Sequence, residues 1–182
     1  NVEYRTIDAM AIALDAASID AVLCRFGVML TPDPAVALAE IRRVLGADGR
    51  AAIAVWAEPE RNPWVAAGST AQRELGLLPP RDPDEPGPFR LADKARLRAF
   101  VEGAGLAIDV LEEVPLQFVS ASLDEWWDVV TDMSPGLSTL AGDDPDALAA
   151  VRAIAEERVA VHVNEDGSVS MPGVALAVRA NR

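Results

Sequence analysis

The sequence predicts an α/β fold with a parallel sheet. Three features carry that reading: an apolar run at residues 19–26 (IDAVLCRF), a helical repeat behind Asp33-Pro34, and a second apolar run at residues 50–56 (RAAIAVW). Strand, helix and strand within about forty residues make a βαβ unit, whose right-handed crossover implies parallel strands with covered faces.

Taken in order, residues 2–5 (VEYR) read as a first strand, left through a polar turn at Asp8-Ala9. Residues 19–26 are mostly apolar, as in a strand buried on both faces. Asp33 caps the next helix and Pro34 takes its first position, with Leu38, Ile41 and Leu45 at helical spacing and Arg42 and Arg43 facing elsewhere. Gly46-Ala-Asp-Gly49 stops that helix and turns the chain into residues 50–56. Residues 58–88 are dense in proline and acid and read as connection, apart from a helix near residues 64–75. Asp93 caps a helix carrying Leu97, Phe100, Val101 and Ala104 on one face, and Gly103 and Gly105 end it. A long strand follows at residues 106–119. Ser122-Leu-Asp-Glu125 is a capping box, and behind it Leu123, Trp126, Trp127 and Val130 form an apolar face opposite Asp124, Glu125 and Asp128. Asp144-Pro145 starts a helix to about residue 161, and Asp166-Gly167 turns into a final strand at residues 173–180.

Composition narrows the function. The 182 residues are 51% hydrophobic, enough for one ordinary domain core, and the formal charge is −13. Lys94 is the sole lysine among 16 basic residues, which argues against a nucleic-acid surface. One cysteine, Cys24, and one histidine, His162, allow neither an internal disulfide nor a Cys/His zinc site, and point to a reducing compartment without structural metal. Asp82-Pro-Asp-Glu85 and Asp143-Asp-Pro-Asp146 lack calcium-loop spacing. No basic-then-apolar leader is present, and no apolar run approaches the roughly eighteen residues that span a bilayer. The expectation is a cytoplasmic, soluble chain.

Residues 19–64 (IDAVLCRFGVMLTPDPAVALAEIRRVLGADGRAAIAVWAEPERNPW) resemble the central half of class I S-adenosylmethionine-dependent methyltransferases, in the small-molecule group that includes quinone-biosynthesis enzymes. Ile19-Asp20 stands where the family has its strand-opening Phe-Asp. Arg43-Val44-Leu45 matches the R-x-L that ends the family's helix, and Ala-Asp-Gly replaces its Pro-Gly-Gly. Residues 7–14 (IDAMAIAL) resemble the D-A-x-x-L-P segment, with Asp15 in place of the proline. Residues 87–105 resemble the helix before the sixth strand. The resemblance implies a partial Rossmann-like sheet, equivalent to strands 3 to 7 of the order 3-2-1-4-5-7-6, with the last strand antiparallel. Residues 1–119 would be the carboxyl-terminal part of the core, 120–165 a helical cap and 166–182 the final core strand.

The resemblance also implies site residues. Asp8 would accept from the adenine amino group of S-adenosylmethionine, with Ala9 and Met10 bringing backbone N–H to the ring. An ionised carboxylate accepts only, which suits an amino donor. Asp8 is equally a turn residue at a strand exit. Cys24 and Arg25 would border the methionine part, since carboxyl ends of parallel strands line the ligand crevice. Cys24 also reads as a small buried hydrophobe. Arg25 either holds a substrate anion or pairs structurally. Phe26, Trp56, Asn62, Trp64, Phe89 and Trp126 are candidates for the wall of an apolar substrate pocket, although helix packing alone explains Trp126 and Trp127. His162, at a helix end, reads as structural, and no catalytic base is assigned.

The family's G-x-G-x-G loop, which receives the amino-acid end of the cofactor, occurs nowhere in the chain. S-adenosylmethionine is therefore expected to bind if the corresponding amino-terminal segment is supplied. With residues 2–5 as strand three and residues 19–26 as strand four, the strand-four edge would be open. The chain would then self-associate as a homodimer, re-pair its first strand against that edge, or take up the missing segment. Three functions follow: methyl transfer to a small, apolar metabolite, inactive in a truncated chain; a non-catalytic interaction module pairing through the sheet edge; or an apolar small-ligand-binding domain.

Overall fold

The computed structural model describes residues 2–182. Ile19–Arg25 forms β1 and Leu45–Trp56 forms β2; the two pair in parallel, joined through helix α1, Pro34–Val44. The Asp33 carboxylate accepts from the N–H groups of Ala35 and Val36 at 2.9 and 3.3 Å, and Pro34 opens α1. This is the expected cap, and it satisfies donors that a first helical turn otherwise leaves orphaned. Gly46 to Gly49 lies within β2, opposite Asp20 alone, between the Ile19–Leu45 and Ala21–Arg50 pairings. A Cβ on Gly49 would stand 2.9 Å from both the N and the O of Gly46, so only glycine lets the chain fold this tightly on itself.

The remaining elements are α2, Pro63–Glu74; α3, Lys94–Gly103; β3, Ala107–Ser120; α4, Leu123–Met133; α5, Pro135–Asp143; α6, Pro145–Val159; and β4, Val169–Asn181. β4 runs antiparallel to β2, from Arg50 opposite Asn181 to Trp56 opposite Ala175, and the sheet order is β1-β2-β4-β3. That is the expected 4-5-7-6 segment with its last strand reversed, and it establishes the Rossmann-like fold class. Helix α5 was not expected. Ser134 accepts from the Leu137 N–H and Pro135 follows, the same signal that starts α1 and α6.

Two compact units divide the chain. One holds residues 1–58, 82–114 and 175–182, the other residues 59–81 and 115–174, so that β3 and β4 each contribute to both. In the first unit Leu38, Ile41 and Val44 of α1, Ile53 and Val55 of β2, and Leu97 and Val101 of α3 are buried in one core. The Arg42 Nε donates to the Gly105 carbonyl at 2.9 Å, tying α1 to the end of α3. In the second unit α2 packs on α4 and α6, and α5 on α4 and α6. Gly68 lets α2 lie close to side chains of α4 and α5: a Cβ there would meet Leu137 Cδ1 at 3.0 Å and Val130 Cγ1 at 3.6 Å, which accounts for a glycine inside a helix. No helix among the described residues is long and apolar enough to cross a membrane.

Two expectations are corrected. Residues 2–5 form no strand; they are exposed and unpaired in the sheet, because a strand needs a ladder partner for its backbone groups and none lies beside them. Hence the first strand does not re-pair against β1. Nor is β1 buried on both faces. Its burial alternates, with Val22 and Cys24 half-buried and Leu23 79% exposed, as befits an edge strand packed on one face.

Candidate functional site

The chain reverses sharply where β1 ends. Phe26 takes φ of 58°, a left-handed conformation that is unusual for a bulky residue, while its N–H donates to the Ala54 carbonyl at 2.8 Å. That hydrogen bond sets its ring beside the last residue of β2. Phe26 and Trp56 stack with centroids 3.9 Å apart and planes 11° from parallel. The Arg25 guanidinium lies 5.8 Å from the Phe26 centroid, within cation–π range. Arg25 is exposed and has no carboxylate partner among the described residues. Cys24 is half-buried just below; a Cβ added to Gly27 would meet its Sγ at 3.2 Å. Cys24, Arg25, Phe26 and Trp56 are thus gathered at the carboxyl ends of two parallel strands.

The turn after residue 7 is a second local feature of this unit. Asp8 Oδ1 accepts from the Met10 N–H at 2.8 Å, and the Asp8 carbonyl accepts from the Ala11 N–H at 3.1 Å. Asp8 is exposed, with its second carboxylate oxygen outside that turn. The Met10 N–H is already used, so of the two backbone donors expected to reach an adenine ring, only that of Ala9 remains.

Sequence reasoning missed what holds the next stretch in place. On α1, Glu40 Oε2 accepts from the Ile12 N–H at 2.8 Å, while the Arg43 guanidinium donates to the carbonyls of Leu14 at 2.9 Å and Ile12 at 2.7 Å. The same guanidinium pairs with Glu40 at 2.7 and 2.8 Å. The Arg43 hydrogen bond holds the Glu40 carboxyl below its ordinary value, and Glu40 in turn raises Arg43. The E-x-x-R spacing on one helix was the available signal, since residues three apart share a face.

The other expected wall residues are distributed differently. Phe89 is buried in the first unit, at the turn where Gly87 N–H donates to the Met29 carbonyl. Asn62, Trp64 and Trp126 belong to the second unit and are buried in it. Asn62 presents no surface: its side-chain amide donates to the Val174 carbonyl and accepts from the Val174 N–H, each at 3.0 Å, like a neighbouring strand. Trp126 donates from Nε1 to the Trp64 carbonyl at 2.8 Å, and Trp64 stacks on Phe118 at 5.0 Å. His162 ends a short 3-10 turn, Ala160–His162, in the same unit.

Residues 1–53 match the family profile described as a methyltransferase domain. Among solved structures the chain resembles a protein provisionally named as a methyltransferase from Bacillus halodurans, with 19% identity and a TM-score of 0.60, over 99% of this chain and 77% of that one. It also resembles the YcgJ protein of Bacillus subtilis, with 19% identity and a TM-score of 0.52, over 96% of this chain and 68% of that one. No curated protein matches the chain. The chain thus has the Rossmann-like α/β fold of these structures, and its residues 1–53 match a methyltransferase-domain profile.

Proposed function

We propose that this chain serves S-adenosylmethionine-dependent methyl transfer to a small metabolite with an apolar body, in the group that includes quinone-biosynthesis enzymes. The observation that carries the reading is the cluster Cys24, Arg25, Phe26 and Trp56 at the carboxyl ends of β1 and β2, where open α/β sheets place their ligands. When bound, the cofactor supplies an electrophilic methyl on a sulfonium, and the transfer is an in-line displacement. The protein's part is then orientation and exclusion of water. The stacked Phe26–Trp56 pair gives an apolar surface for both tasks. Asp8 has a carboxylate oxygen left to accept from an adenine amino group, with the Ala9 N–H beside it. No side chain of this chain is assigned to the amino-acid end of the cofactor, which the family binds on its glycine-rich loop.

Calorimetry with S-adenosylhomocysteine tests the reading: micromolar binding that weakens at least tenfold in Asp8→Ala supports it, and no binding removes it for this chain. A second reading has its own observation. Among the described residues β1 pairs only with β2, leaving an edge on which Leu23 is exposed, so the chain would act as an interaction module through strand addition. Sedimentation at increasing concentration separates the two: association abolished by Leu23→Lys favours the module, while a monomer at all concentrations leaves it without support.

A further inference from the structure

We propose that Arg25, Phe26 and Trp56 form a recognition site for a carboxylate carried on a flat apolar body, and that the methyl acceptor is a molecule of this kind. The second clause rests on the methyl-transfer reading; the first does not.

The argument begins with charge. The chain carries −13 overall, and several of its arginines are matched to acids: Arg43 to Glu40, Arg96 to Asp84, Arg98 to Glu102 and Arg179 to Asp109. Arg25 departs from this pattern. It is exposed, faces no carboxylate among the described residues, and lies against an aromatic ring instead. A guanidinium resting on a ring keeps its planar fork of donors for an incoming acceptor, and that fork matches a carboxylate in bidentate geometry. A phosphate dianion calls for more than one cation, and the surrounding excess of acid works against it.

Backbone strain gives the second line. Had the reversal after β1 required only a left-handed residue, glycine at position 26 would have met the need at no steric cost; instead Phe26 takes φ of 58° and Gly27 follows at φ −100°. What the strained conformation secures is the position of the ring, stacked on Trp56 at 3.9 Å and beside the guanidinium. Strain retained by a bulky side chain is a mark of a position under functional constraint. Both rings are only half-buried. A flat apolar surface with one cation at its rim is complementary to an aromatic or conjugated carboxylate.

The test is a nitrogen–proton correlation NMR titration of the intact chain, without cofactor, using benzoate, its uncharged isostere benzamide, free methionine as a stand-in for the amino-acid end of the cofactor, and inorganic phosphate. Benzoate is expected to shift the Trp56 indole and Phe26 amide signals saturably, with benzamide about tenfold weaker, equivalent to ~1.4 kcal/mol, and methionine and phosphate without effect there. Arg25→Gln should make benzoate and benzamide equal, and Arg25→Lys should keep part of the preference. Equal binding of benzoate and benzamide, shifts confined to other residues, a benzoate preference that survives Arg25→Gln, or a preference for methionine or phosphate would each overturn the proposal. Benzoate binding at Trp56 in a chain that fails to bind S-adenosylhomocysteine upholds the carboxylate site and removes the methyl-transfer reading, and the converse removes the site alone.

Discussion

In the unit made of residues 59–81 and 115–174, Trp126 and Trp127 are 0% and 3% exposed, and the Trp126 indole N–H, the Asn62 amide and the Gln72 amide all have protein partners. In the other unit Phe26 and Trp56 stack while still half-exposed, Phe26 holds a left-handed backbone, Arg25 carries an unmatched charge, and the edge of β1 is open. The contrast separates two uses of the same residue types. Where rings are buried and the polar groups beside them have protein partners, as at Trp126 and Asn62, packing accounts for the residues. Where strain and unmatched charge persist beside rings that reach solvent, packing alone gives no reason for them, and those are the positions to test for chemistry.

The largest expected effect belongs to the packed unit. Trp126→Ala removes a fully buried side chain together with its hydrogen bond to the Trp64 carbonyl, and it should destabilise the chain by about 3–5 kcal/mol in urea unfolding. Trp126→Phe keeps most of the volume and loses only the hydrogen bond, for about 1–3 kcal/mol. A cost below about 1 kcal/mol for Trp126→Ala would mean that this tryptophan is not core, and the contrast between the units would collapse.

Much of this was legible in the sequence. Asp33-Pro34, Asp93, Ser122 and Asp144-Pro145 mark helix starts by side-chain chemistry acting within three residues, so α1, α3, α4 and α6 are found where their caps place them. Ser134-Pro135 carries the same signal, but Gly136 and Gly142 dilute the helical pattern behind it, which hides α5 in the sequence. Strand existence is harder, because it depends on a neighbour. Residues 2–5 have strand composition yet form none, and the apolar run of β1 suggests two covered faces that only one side receives. At the site, residue type suggested Phe26, Trp56 and Arg25, but nothing in the sequence showed the stacking or the left-handed backbone of Phe26. Asn62 and Trp126 looked alike as wall residues because the partners that bury them, Val174 and Trp64, lie 112 and 62 positions away.

A smaller effect, of opposite character, is expected at Phe26. At ordinary positions alanine is more stable than glycine, since glycine loses more backbone freedom on folding. At φ of 58° the order should reverse, because a left-handed alanine carries a steric cost of about 1–2 kcal/mol that glycine escapes. Phe26→Gly should therefore be more stable than Phe26→Ala by roughly 0.5–1 kcal/mol, read from paired urea melts. The opposite order would show that Phe26 is relaxed, and would remove strain from the reasons to single out this site.

The smallest effect is local and lies at the Glu40–Arg43 clamp on residues 12–14. The hydrogen bond from Arg43 is the main reason that the Glu40 carboxyl lies below its ordinary 4.5, with burial opposing and the Ile12 N–H assisting. A carboxyl whose folded value is lowered contributes stability that is fully present above its unfolded value and is lost as pH falls through the folded one. The clamp is therefore expected to be intact throughout the neutral range and to release only on acidification below 4.5. The Ile12 amide signal reports this directly, because its N–H donates to Glu40 at 2.8 Å. Followed from neutral pH downward, its shift should titrate with a midpoint under 4.5. In Glu40→Gln that step should vanish while the N–H keeps an amide oxygen as acceptor. Since the pair is partly open to solvent, global stability should change little, and the loosening should be confined to the stretch that leads from the Asp8 turn into β1. A midpoint at or above 4.5 would place Glu40 outside the influence of Arg43, and the turn bearing Asp8 would then be held by something other than α1.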